Sequence, residues 1–346
     1  MFTDEFYMRR CIELAKKGFG HVAPNPMVGC VIVHQGKIIG EGYHQKYGGP
    51  HAEVNAIQQV QNPALLKEAE VYVSLEPCAH YGKTPPCANL LITHQVKKVI
   101  IGCVDPFSKV AGNGIKMLQN AGIETVVKVL EEDCRFLNRR FFVFHQKKRP
   151  FILLKWAETE DGFIDQKRSS TVPQINWITH PDTQLITHQW RNEESAILVG
   201  RTTIENDNPS LTTRAISGKN PIRLVLDEKQ QLINKSFQIF NEDAETWVFN
   251  ASLHKKDKKV TWIAVTPFNL TQIVKVLYEK NVQSVLVEGG KKTIESFLEA
   301  DLWDEARVLV GAKKFENGLR APKMHVQPDY IQTLNTDQLK IYYNKS

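Results

Sequence analysis

A chain of 346 residues is longer than one ordinary domain and suits two domains of average size. Hydrophobic residues make up 42% of the chain, charged residues 24% and aromatic residues 9%, so each half can bury a core. This composition excludes a disordered chain, a collagen-like repeat and a disulfide-stapled miniprotein. The longest apolar runs are of strand length and the N-terminus lacks a signal peptide's apolar segment, so we expect a cytoplasmic protein without a membrane partner.

The charges are nearly balanced, with a small positive excess. There are 44 lysines and arginines against 38 aspartates and glutamates, which gives a net charge of +6. The basic residues are too dispersed to predict a nucleic-acid partner, whereas the excess suits small anionic substrates. These numbers do not decide whether the chain forms a homo-oligomer.

Six cysteines without a secretion signal predict reduced thiols. Cys78 and Cys87 each follow a proline in a polar segment that is rich in turn residues. The other four have the apolar neighbours typical of small core residues. These four are Cys11, Cys30, Cys103 and Cys134.

The first half alternates helix and strand signals. In chain order, the spacing of apolar residues predicts a helix over 9–17, strands over 28–33 and 37–42 joined by a turn at Gln35-Gly36, a helix over 50–59, a strand over 71–75, a helix from 86, a strand over 98–103, a helix over 114–120 and a strand over 123–129. Strands separated by helices predict a largely parallel sheet that is covered on both faces.

The basic tract 145–149 predicts a solvated linker, after which the pattern restarts. In chain order, the second half predicts a strand over 151–155, a turn at Asp161-Gly162, a helix over 181–191, strands over 196–199, 222–227, 246–250 and 260–265, a helix over 270–279, a strand over 283–287, a helix over 291–298 and a strand over 306–310. We therefore predict two α/β domains, residues 1–147 and 148–346, without internal repeats.

One group of residues in the first half has the pattern of a metal site. His51 and Glu53 follow Pro50, which suits the first position of a helix, so both are expected in its first turn. Cys78 follows a strand and Cys87 opens a further helix, where the helix N-terminus favours the metal-binding thiolate. One imidazole and two thiolates hold zinc and leave its fourth position for water, which ionises near neutrality. Glu53, which is not a ligand, can then carry the proton to a leaving nitrogen.

The spacing differs from the general zinc-deaminase signature, in which two residues separate the cysteines of Pro-Cys-x-x-Cys, because eight separate them here. Taken singly, each residue has an ordinary explanation, such as a helix cap for His51. A structural zinc is another alternative, but it would need a fourth protein ligand, such as His80, and has no use for Glu53. The combination favours a catalytic zinc centre, with His51, Cys78 and Cys87 as ligands and Glu53 as the catalytic residue.

Three parts of the first half resemble the deaminase half of the bifunctional deaminase/reductase family of riboflavin biosynthesis. They are Pro24-Asn25-Pro26 with Val28-Gly29, then His51-Ala52-Glu53, then the run 76–87. The wider cysteine spacing and the insert 80–84 separate this family from cytidine and tRNA-adenosine deaminases. The resemblance implies a cytidine-deaminase-like α/β/α domain in which four residues surround the pyrimidine and its ribose phosphate. These four are Asn25, His44, His80 and Lys83.

The second half carries no comparable motif of its own. The glycine pattern of dinucleotide-binding proteins occurs once, over 18–23, but it follows a predicted helix rather than a strand and is rejected. Glu288-Gly289-Gly290 joins a predicted strand to a predicted helix, where free backbone N–H groups can meet a phosphate. A plain tight turn explains these residues equally well.

Further segments resemble the reductase half of the same family, whose fold resembles dihydrofolate reductase: 155–162, 177–179, 196–200, 207–214 and 287–290. By that resemblance, Ala157, Trp177, Thr203, Asp207 and Gly290 contact NADPH. Lys155, Arg191, Leu211, Arg214 and Glu288 contact the substrate, with Lys155 near the reacting sugar. Both arginines suit a phosphate, which a guanidinium grips bidentately. Ile175 and Thr159-Glu160 depart from the family's usual residues, which affects the substrate contacts nearby.

The sequence therefore predicts a bifunctional enzyme of riboflavin biosynthesis with Zn2+ and NADPH as cofactors. Its first domain would deaminate 2,5-diamino-6-ribosylamino-4(3H)-pyrimidinone 5′-phosphate with hydroxide formed at zinc. Its second domain would use NADPH to reduce the ribosyl group of 5-amino-6-(5-phosphoribosylamino)uracil to ribityl. Two alternatives are a zinc-dependent nucleic-acid base deaminase with an appended binding domain and a zinc scaffold without catalysis.

Overall fold

The computed structural model describes residues 2–80, 85–107, 111–168 and 172–345. The chain forms two compact units, Met1–Lys148 and Arg149–Ser346. Each unit packs helices on a β-sheet, as the sequence predicts. Among the residues described, no helix combines the length and the apolar character needed to cross a bilayer.

The first unit is built on a five-stranded sheet. Its described elements are α1 (Asp4–Lys16), β1 (Gly29–His34), β2 (Lys37–Tyr43), α2 (Ala52–Gln58), β3 (Glu70–Leu75), α3 (Cys87–Thr93), β4 (Lys98–Cys103), α4 (Asn113–Asn120), β5 (Glu124–Val127), α5 (Glu131–Leu137) and α6 (Arg139–Gln146), with a 3₁₀ turn over Pro63–Glu68. The strand order is β2-β1-β3-β4-β5.

The sheet of the first unit is mixed, so the prediction of a largely parallel sheet is wrong here. β1 pairs antiparallel with both β2 and β3, whereas β3, β4 and β5 are parallel. The tight turn at Gln35-Gly36 forces the first antiparallel pair, since parallel neighbours need a long crossover. Helices connect the parallel strands that follow, as predicted.

Alternate residues of the central strands point to opposite faces of this sheet. Val31 and Val33 of β1 pack in a buried cluster with residues of α1, α5 and α6. Cys30 and Ile32 pack in a second cluster with residues of α2, α3 and α4. Helices therefore cover both faces, which is the predicted α/β/α arrangement.

The tract 145–149 joins the two units and its residues 146–148 are exposed, as predicted for a solvated linker, but contacts hold its two end residues. His145 belongs to the last turn of α6, where its ring contacts that of Phe141. Arg149 is buried and donates hydrogen bonds of 2.6 and 2.8 Å to the carboxylate of Asp304. A buried charge needs such a partner, so the tract ends a helix of the first unit and then anchors the first strand of the second.

The second unit is built on a ten-stranded sheet. Its described elements are β6 (Phe151–Thr159), β7 (Phe163–Asp165), α7 (Pro181–Glu193), β8 (Ala196–Gly200), α8 (Arg201–Asp207), β9 (Ile222–Leu226), β10 (Thr246–Asn250), β11 (Lys255–Asp257), β12 (Val260–Ala264), α9 (Leu270–Glu279), β13 (Ser284–Val287), α10 (Lys291–Glu299), β14 (Glu305–Gly311), β15 (Leu319–Arg320), β16 (Tyr330–Leu334) and β17 (Asp337–Tyr343), with a 3₁₀ turn over Gln238–Phe240.

The strand order of this sheet is β11-β12-β10-β9-β8-β13-β6-β14-β17-β16. Neighbours from β12 to β14 run parallel, and antiparallel pairs close both ends. β7 and β15 form a separate pair. Buried strands of this kind bring their C-terminal ends and the following loops to one edge, where ligands bind in open α/β sheets.

The C-terminal strands, which the sequence does not reveal, complete the sheet. β17 pairs antiparallel with β14. Asp337 of β17 is buried, and its carboxylate accepts a hydrogen bond of 2.8 Å from the backbone N–H of His180, the N-cap residue of α7. The last strand is therefore tied to the helix that carries Arg191.

Candidate functional site

Three side chains from separate segments meet in the first unit. His51 immediately precedes α2 with an extended backbone, Cys78 follows β3, and Cys87 is the first residue of α3. His51 is therefore the N-cap residue of α2, and the prediction that it lies in the first helical turn is wrong. Pro50 lies outside the helix, so the first turn contains Glu53 but not His51.

The ligand atoms of these three residues lie within 4.8 Å of one another. The Nδ1 atom of His51 lies 3.3 Å from the Sγ atom of Cys87 and 3.6 Å from that of Cys78. Tetrahedral zinc, with bonds of about 2.1 Å to nitrogen and about 2.3 Å to sulfur, separates such atoms by about 3.6 Å. The donor set therefore fits a zinc ion with one position left for water.

The surroundings of Cys78 favour the thiolate, which is the form that binds metal. Hydrogen bonding from the Cys87 side chain, with help from His51 and against the effect of burial, lowers the pKa of Cys78. The backbone N–H of Cys87 also donates to the Cys78 sulfur over 3.2 Å. This N–H is free of helical bonding because it opens α3, so the helix start stabilises the negative sulfur.

Glu53 lies beside the ligands and is only 3% exposed. Burial raises the pKa of Glu53 and the charge of Cys78 raises it further, whereas His51 and a hydrogen bond with Cys87 oppose the rise. A carboxyl group that titrates closer to neutral pH is suited to general acid–base catalysis. The structure therefore places a carboxyl group suited to proton transfer next to the three candidate ligands.

Two predicted substrate residues join this cluster. The Nδ2 atom of Asn25 lies 3.1 Å from Nε2 of His44, and Nδ1 of His44 lies 2.9 Å from the carbonyl oxygen of Pro50. The rings of His44 and His51 are 5.4 Å apart, edge to face. Burial lowers the pKa of His44, so its ring is neutral: Nε2 accepts from Asn25 and Nδ1 donates to Pro50.

The other two predicted substrate residues of this unit differ from that pair. His80 is exposed, and its ring centre lies 6.3 Å from that of Phe107. In the part of the chain that the structure describes, the cluster of metal-binding atoms does not include His80. The alternative of a four-ligand structural zinc thus loses its candidate fourth ligand. Lys83 lies outside the described residues.

Glu76 supports the site, although sequence reasoning assigned it no role. Its buried carboxylate accepts hydrogen bonds from the backbone N–H groups of Asp105, at 3.2 Å, and Gly114, at 2.9 Å. A side chain at position 114 is excluded because a Cβ there would lie 2.1 Å from the carbonyl oxygen of Pro77. These contacts fix the backbone just before Cys78. The one available signal was an acidic residue directly after a predicted buried strand.

A cavity of about 800 Å³ lies in the second unit. All ten residues that the resemblance assigns to the reductase line it, although they come from different strands, helices and loops. They are Lys155, Ala157, Trp177, Arg191, Thr203, Asp207, Leu211, Arg214, Glu288 and Gly290. Ile175, one of the departures from the family pattern, lines it too. The structure thus brings the predicted residues together, while their individual ligand contacts stay predictions.

The cavity lining includes a largely buried ion pair. Arg191 donates through Nε and Nη2 to the two carboxylate oxygens of Glu288, at 3.0 and 2.7 Å. The two nitrogen atoms with which Arg191 could grip a phosphate are therefore already bound to Glu288. This differs from the expectation that Arg191 and Arg214 both bind a phosphate in this way. Arg214 is exposed and donates to the hydroxyl of Ser210 over 2.8 Å, so it is the more accessible of the two.

Lys155 also lines the cavity and interacts electrostatically with this ion pair. Burial lowers the pKa of Lys155. The negative charge of Glu288 raises this pKa, and the positive charge of Arg191 lowers it further. Burial acts in the opposite sense on Glu288, but the positive charges of Arg191 and Lys155 outweigh it and lower the pKa of Glu288 to about 2. Glu288 is therefore a permanent carboxylate at neutral pH, fixed between two cationic side chains.

Another part of the lining, which includes residues of α8 and the start of α10, suits a dinucleotide. Gly290 is the N-cap of α10, where free backbone N–H groups favour a phosphate. At Gly289 a Cβ would lie 2.4 Å from Cα of Val199, so only glycine allows the chain to pass this close to β8. Trp177 is 48% exposed and lines the cavity.

Among the residues that line the cavity without having been predicted are Arg168, Asn176 and His188. Nδ1 of His188 is buried and has no hydrogen-bond partner among the described residues. Single basic or amide residues in polar segments are usually surface groups, so the sequence carries no signal for them.

Two family models match the chain. The model described as the RibD C-terminal domain matches residues 150–335, and the cytidine and deoxycytidylate deaminase zinc-binding region matches residues 1–103. The riboflavin biosynthesis protein RibD of Aquifex aeolicus is 39% identical over 322 residues, which cover 91% of this chain and 89% of that protein. The Escherichia coli protein of the same name is 33% identical over 329 residues, with 90% and 88% covered.

A solved structure of similar length comes from Thermotoga maritima. It is described as a diaminohydroxyphosphoribosylaminopyrimidine deaminase/5-amino-6-(5-phosphoribosylamino)uracil reductase. The two structures superpose with a TM-score of 0.88 at 40% sequence identity, covering 98% of this chain and 97% of that one. These similarities confirm the predicted fold class, a cytidine-deaminase-like α/β unit followed by a reductase unit of the RibD type.

Proposed function

The chain belongs to the RibD family of riboflavin biosynthesis proteins, and on this premise we propose that residues 1–147 form its deaminase and residues 148–346 its reductase. As a family member it is a bifunctional enzyme, a zinc-dependent deaminase and an NADPH-dependent reductase, which confirms the predicted function and cofactors. The convergence of His51, Cys78 and Cys87 on one point carries the proposal for the first unit.

The deaminase acts on the phosphorylated diaminopyrimidine for which the Thermotoga maritima protein is named, 2,5-diamino-6-ribosylamino-4(3H)-pyrimidinone 5′-phosphate. His51, Cys78 and Cys87 hold the zinc, which when bound supplies a water of lowered pKa. Glu53 would take a proton from the attacking water and deliver it to the amino nitrogen at C2. As the water oxygen bonds to C2, the bond from C2 to the amino nitrogen breaks and ammonia leaves. The burial of Glu53 supports this role, because it favours a carboxyl that can hold a proton.

The remaining residues of the first unit orient the pyrimidine. Asn25 keeps its amide oxygen for the ring after donating to the neutral His44. His44 in turn packs on His51, so the substrate-binding pair is coupled to a metal ligand. The exposed His80 contacts the substrate from the rim, and Lys83 meets the ribose phosphate.

The reductase acts on 5-amino-6-(5-phosphoribosylamino)uracil, the second substrate for which the Thermotoga maritima protein is named. When bound, NADPH would supply a hydride to C1′ of the ring-opened, imine-like form of the ribosyl group, and a proton added at the nitrogen completes the ribityl product. Lys155 and Glu288 position the sugar, Arg191 orients Glu288, and Leu211 and Arg214 contact the sugar phosphate, all from one cavity. The NADPH set lines the same cavity and consists of Ala157, Trp177, Thr203, Asp207 and Gly290.

Glu53→Gln tests the deaminase proposal. Without a titratable group, deamination should fall by about 100- to 10,000-fold, while zinc content stays at that of the unaltered enzyme. Glu68→Gln is the matched control, because Glu68 is an exposed glutamate of the same unit. Both variants are measured by elemental analysis and by ammonia release from the diaminopyrimidine phosphate. Full activity of Glu53→Gln would remove Glu53 from the mechanism and favour the non-catalytic scaffold.

Chromatography separates the proposal from the nucleic-acid alternative. A base deaminase with an appended binding domain needs a basic, aromatic-lined groove and is strongly retained on heparin or single-stranded DNA at moderate salt. A small-molecule enzyme should pass through under those conditions. Strong retention together with deamination of the nucleic acid would overturn the assignment of a phosphorylated pyrimidine substrate.

Two predictions about the cellular context stay predictions. One is a cytoplasmic location, and the other is that the chain binds no nucleic acid and no membrane. Homo-oligomerisation stays open and can be measured by light scattering of the intact enzyme.

A further inference from the structure

Arg168 lines the reductase cavity but belongs to neither the NADPH set nor the substrate set. Its Nε atom donates to a carboxylate oxygen of Asp165 over 2.8 Å, and its Nη2 atom donates to Asp207 over 2.6 Å. Asp165 is the last residue of β7 and Asp207 the last residue of α8. One guanidinium therefore ties together two carboxylates from separate elements of the cavity wall.

The same guanidinium also binds two backbone carbonyl groups. Nη1 of Arg168 lies 2.8 Å from the carbonyl oxygen of Gln174 and 2.8 Å from that of Asn206. The backbone N–H of Gln174 donates to the Asn206 carbonyl oxygen over 2.9 Å. The segment that leads to Trp177 is thus fastened to the end of α8 by Arg168 and by a direct backbone bond.

A sixth contact closes the network. The Nδ2 atom of Asn176 donates to Asp165 over 2.6 Å, next to the oxygen that binds Arg168. Asn176 directly precedes Trp177, and both line the cavity. The orientation of the Trp177 backbone therefore depends on Asp165, which in turn depends on Arg168.

The charge balance explains why a cation is needed at this place. Asp165 and Asp207 both line the cavity, and each charge repels the other and repels an anionic dinucleotide. Arg168, which is 21% exposed, neutralises part of this charge at hydrogen-bonding distance. Four of its five N–H groups are already used, so it is poorly placed to bind a phosphate directly.

We propose that Arg168 is a positioning residue of the reductase, which holds Asp207 and the Trp177 segment in the arrangement that binds NADPH. This inference rests on the proposed function, because it takes the cavity to be the NADPH site. It assigns Arg168 no contact with the reacting atoms. Loss of Arg168 should consequently weaken cofactor binding and leave the chemical step nearly unchanged.

The test uses the full-length, zinc-loaded enzyme with Arg168→Met and Arg168→Lys. We expect Arg168→Met to raise both the KM and the Kd for NADPH about 10-fold or more, with kcat changed less than about 3-fold. Lysine keeps the charge but cannot reach all four acceptors. The KM and Kd of Arg168→Lys for NADPH should therefore lie between those of the unaltered enzyme and those of Arg168→Met. The Kd is read from NADPH fluorescence without substrate, and deamination reports that the chain is folded.

Arg320→Met is the matched control, because Arg320 is an exposed arginine of the same unit that binds the Asp161 carbonyl oxygen. It should leave the KM for NADPH unchanged. The double variant Arg168→Met with Asp207→Asn should lose less free energy of NADPH binding than the two single variants lose in sum. Each single variant already removes the same interaction between Arg168 and Asp207. Strict additivity, or a KM and Kd like those of the unaltered enzyme, would overturn the proposal.

Two outcomes distinguish this proposal from the proposed function. An unaltered enzyme that neither binds nor oxidises NADPH would refute the reductase assignment itself. An active unaltered enzyme whose Arg168→Met variant loses kcat at constant KM would refute only the positioning role, because Arg168 would then act in the chemical step.

Discussion

The metal cluster and the reductase cavity hold their reactive groups in different ways. In the cluster, three ligand atoms lie within 4.8 Å of one another, and the start of α3 stabilises one of the sulfurs. In the cavity, ten predicted residues surround about 800 Å³. An ion needs a few donors at fixed distances, whereas a dinucleotide and a sugar phosphate need a volume with many contacts. Removal of one side chain should therefore abolish deamination when it belongs to the cluster, but should only weaken reduction when it belongs to the cavity.

The largest expected effect, and the most direct way to break this comparison, comes from Cys87→Ser. Loss of one thiolate should remove zinc and deamination together, because a hydroxyl is a poor zinc ligand. NADPH oxidation with pre-deaminated substrate should persist, since the cavity lies in the other compact unit. Elemental analysis and two separate assays measure this. Disappearance of both activities from a folded variant would show that the two sites are not independent.

A smaller effect is expected from Asp207→Ala in the cavity. Asp207 is one of several groups that we propose contact the cofactor, so its loss should raise the KM for NADPH about 10-fold rather than abolish reduction. Zinc content and deamination should not change. Steady-state kinetics at varied NADPH concentration measure the effect, and an unaltered KM would contradict the assignment of Asp207 to the cofactor.

The smallest expected effect concerns the pKa of Lys155 in the cavity and the pH dependence of reduction. Burial and then Arg191 lower the pKa of Lys155, whereas Glu288 raises it. The ammonium form is lost as the pH rises through this pKa, which sets an alkaline limb in the reductase profile. Glu288→Gln should move the limb to lower pH and Arg191→Met to higher pH, each by about one unit or less.

The reductase kcat/KM between about pH 7 and 10 measures these shifts. Each variant serves as the control of the other, because both break the same buried ion pair and differ in the sign of the charge removed. Shifts in the same direction would show that disruption of the pair, and not the charge felt by Lys155, controls the profile.

The metal ligands could be predicted from residue types because a zinc site depends on few groups with strict chemistry. His51, Cys78 and Cys87 each stand next to a predicted helix or strand end, and those ends meet at one edge of the sheet. The sequence predicts the helix start wrongly, because it makes Pro50 the first helical residue whereas α2 begins at Ala52. Proline is compatible with several positions near a helix start, so the rule could not choose between them.

The cavity could not be predicted in this way because its contacts are long-range. Arg191 and Glu288 are 97 positions apart, and they meet because β13 lies beside β8 in the sheet. Neither residue carries a local signal of the pair. The family resemblance supplied the residues, and the structure added Glu76 and Arg168, whose roles depend on backbone groups that a sequence pattern does not display.

The pairing of β17 with β14 has a consequence for any shortened form of this chain. The matched family region ends at residue 335, yet β17 lies beyond that point, at Asp337–Tyr343. A chain cut there would leave β14 with an open row of backbone N–H and C=O groups, which is a template for aggregation. It would also release the His180 amide from Asp337 at the start of α7. Trimming the tail would thus damage the position of Arg191 from outside the cavity.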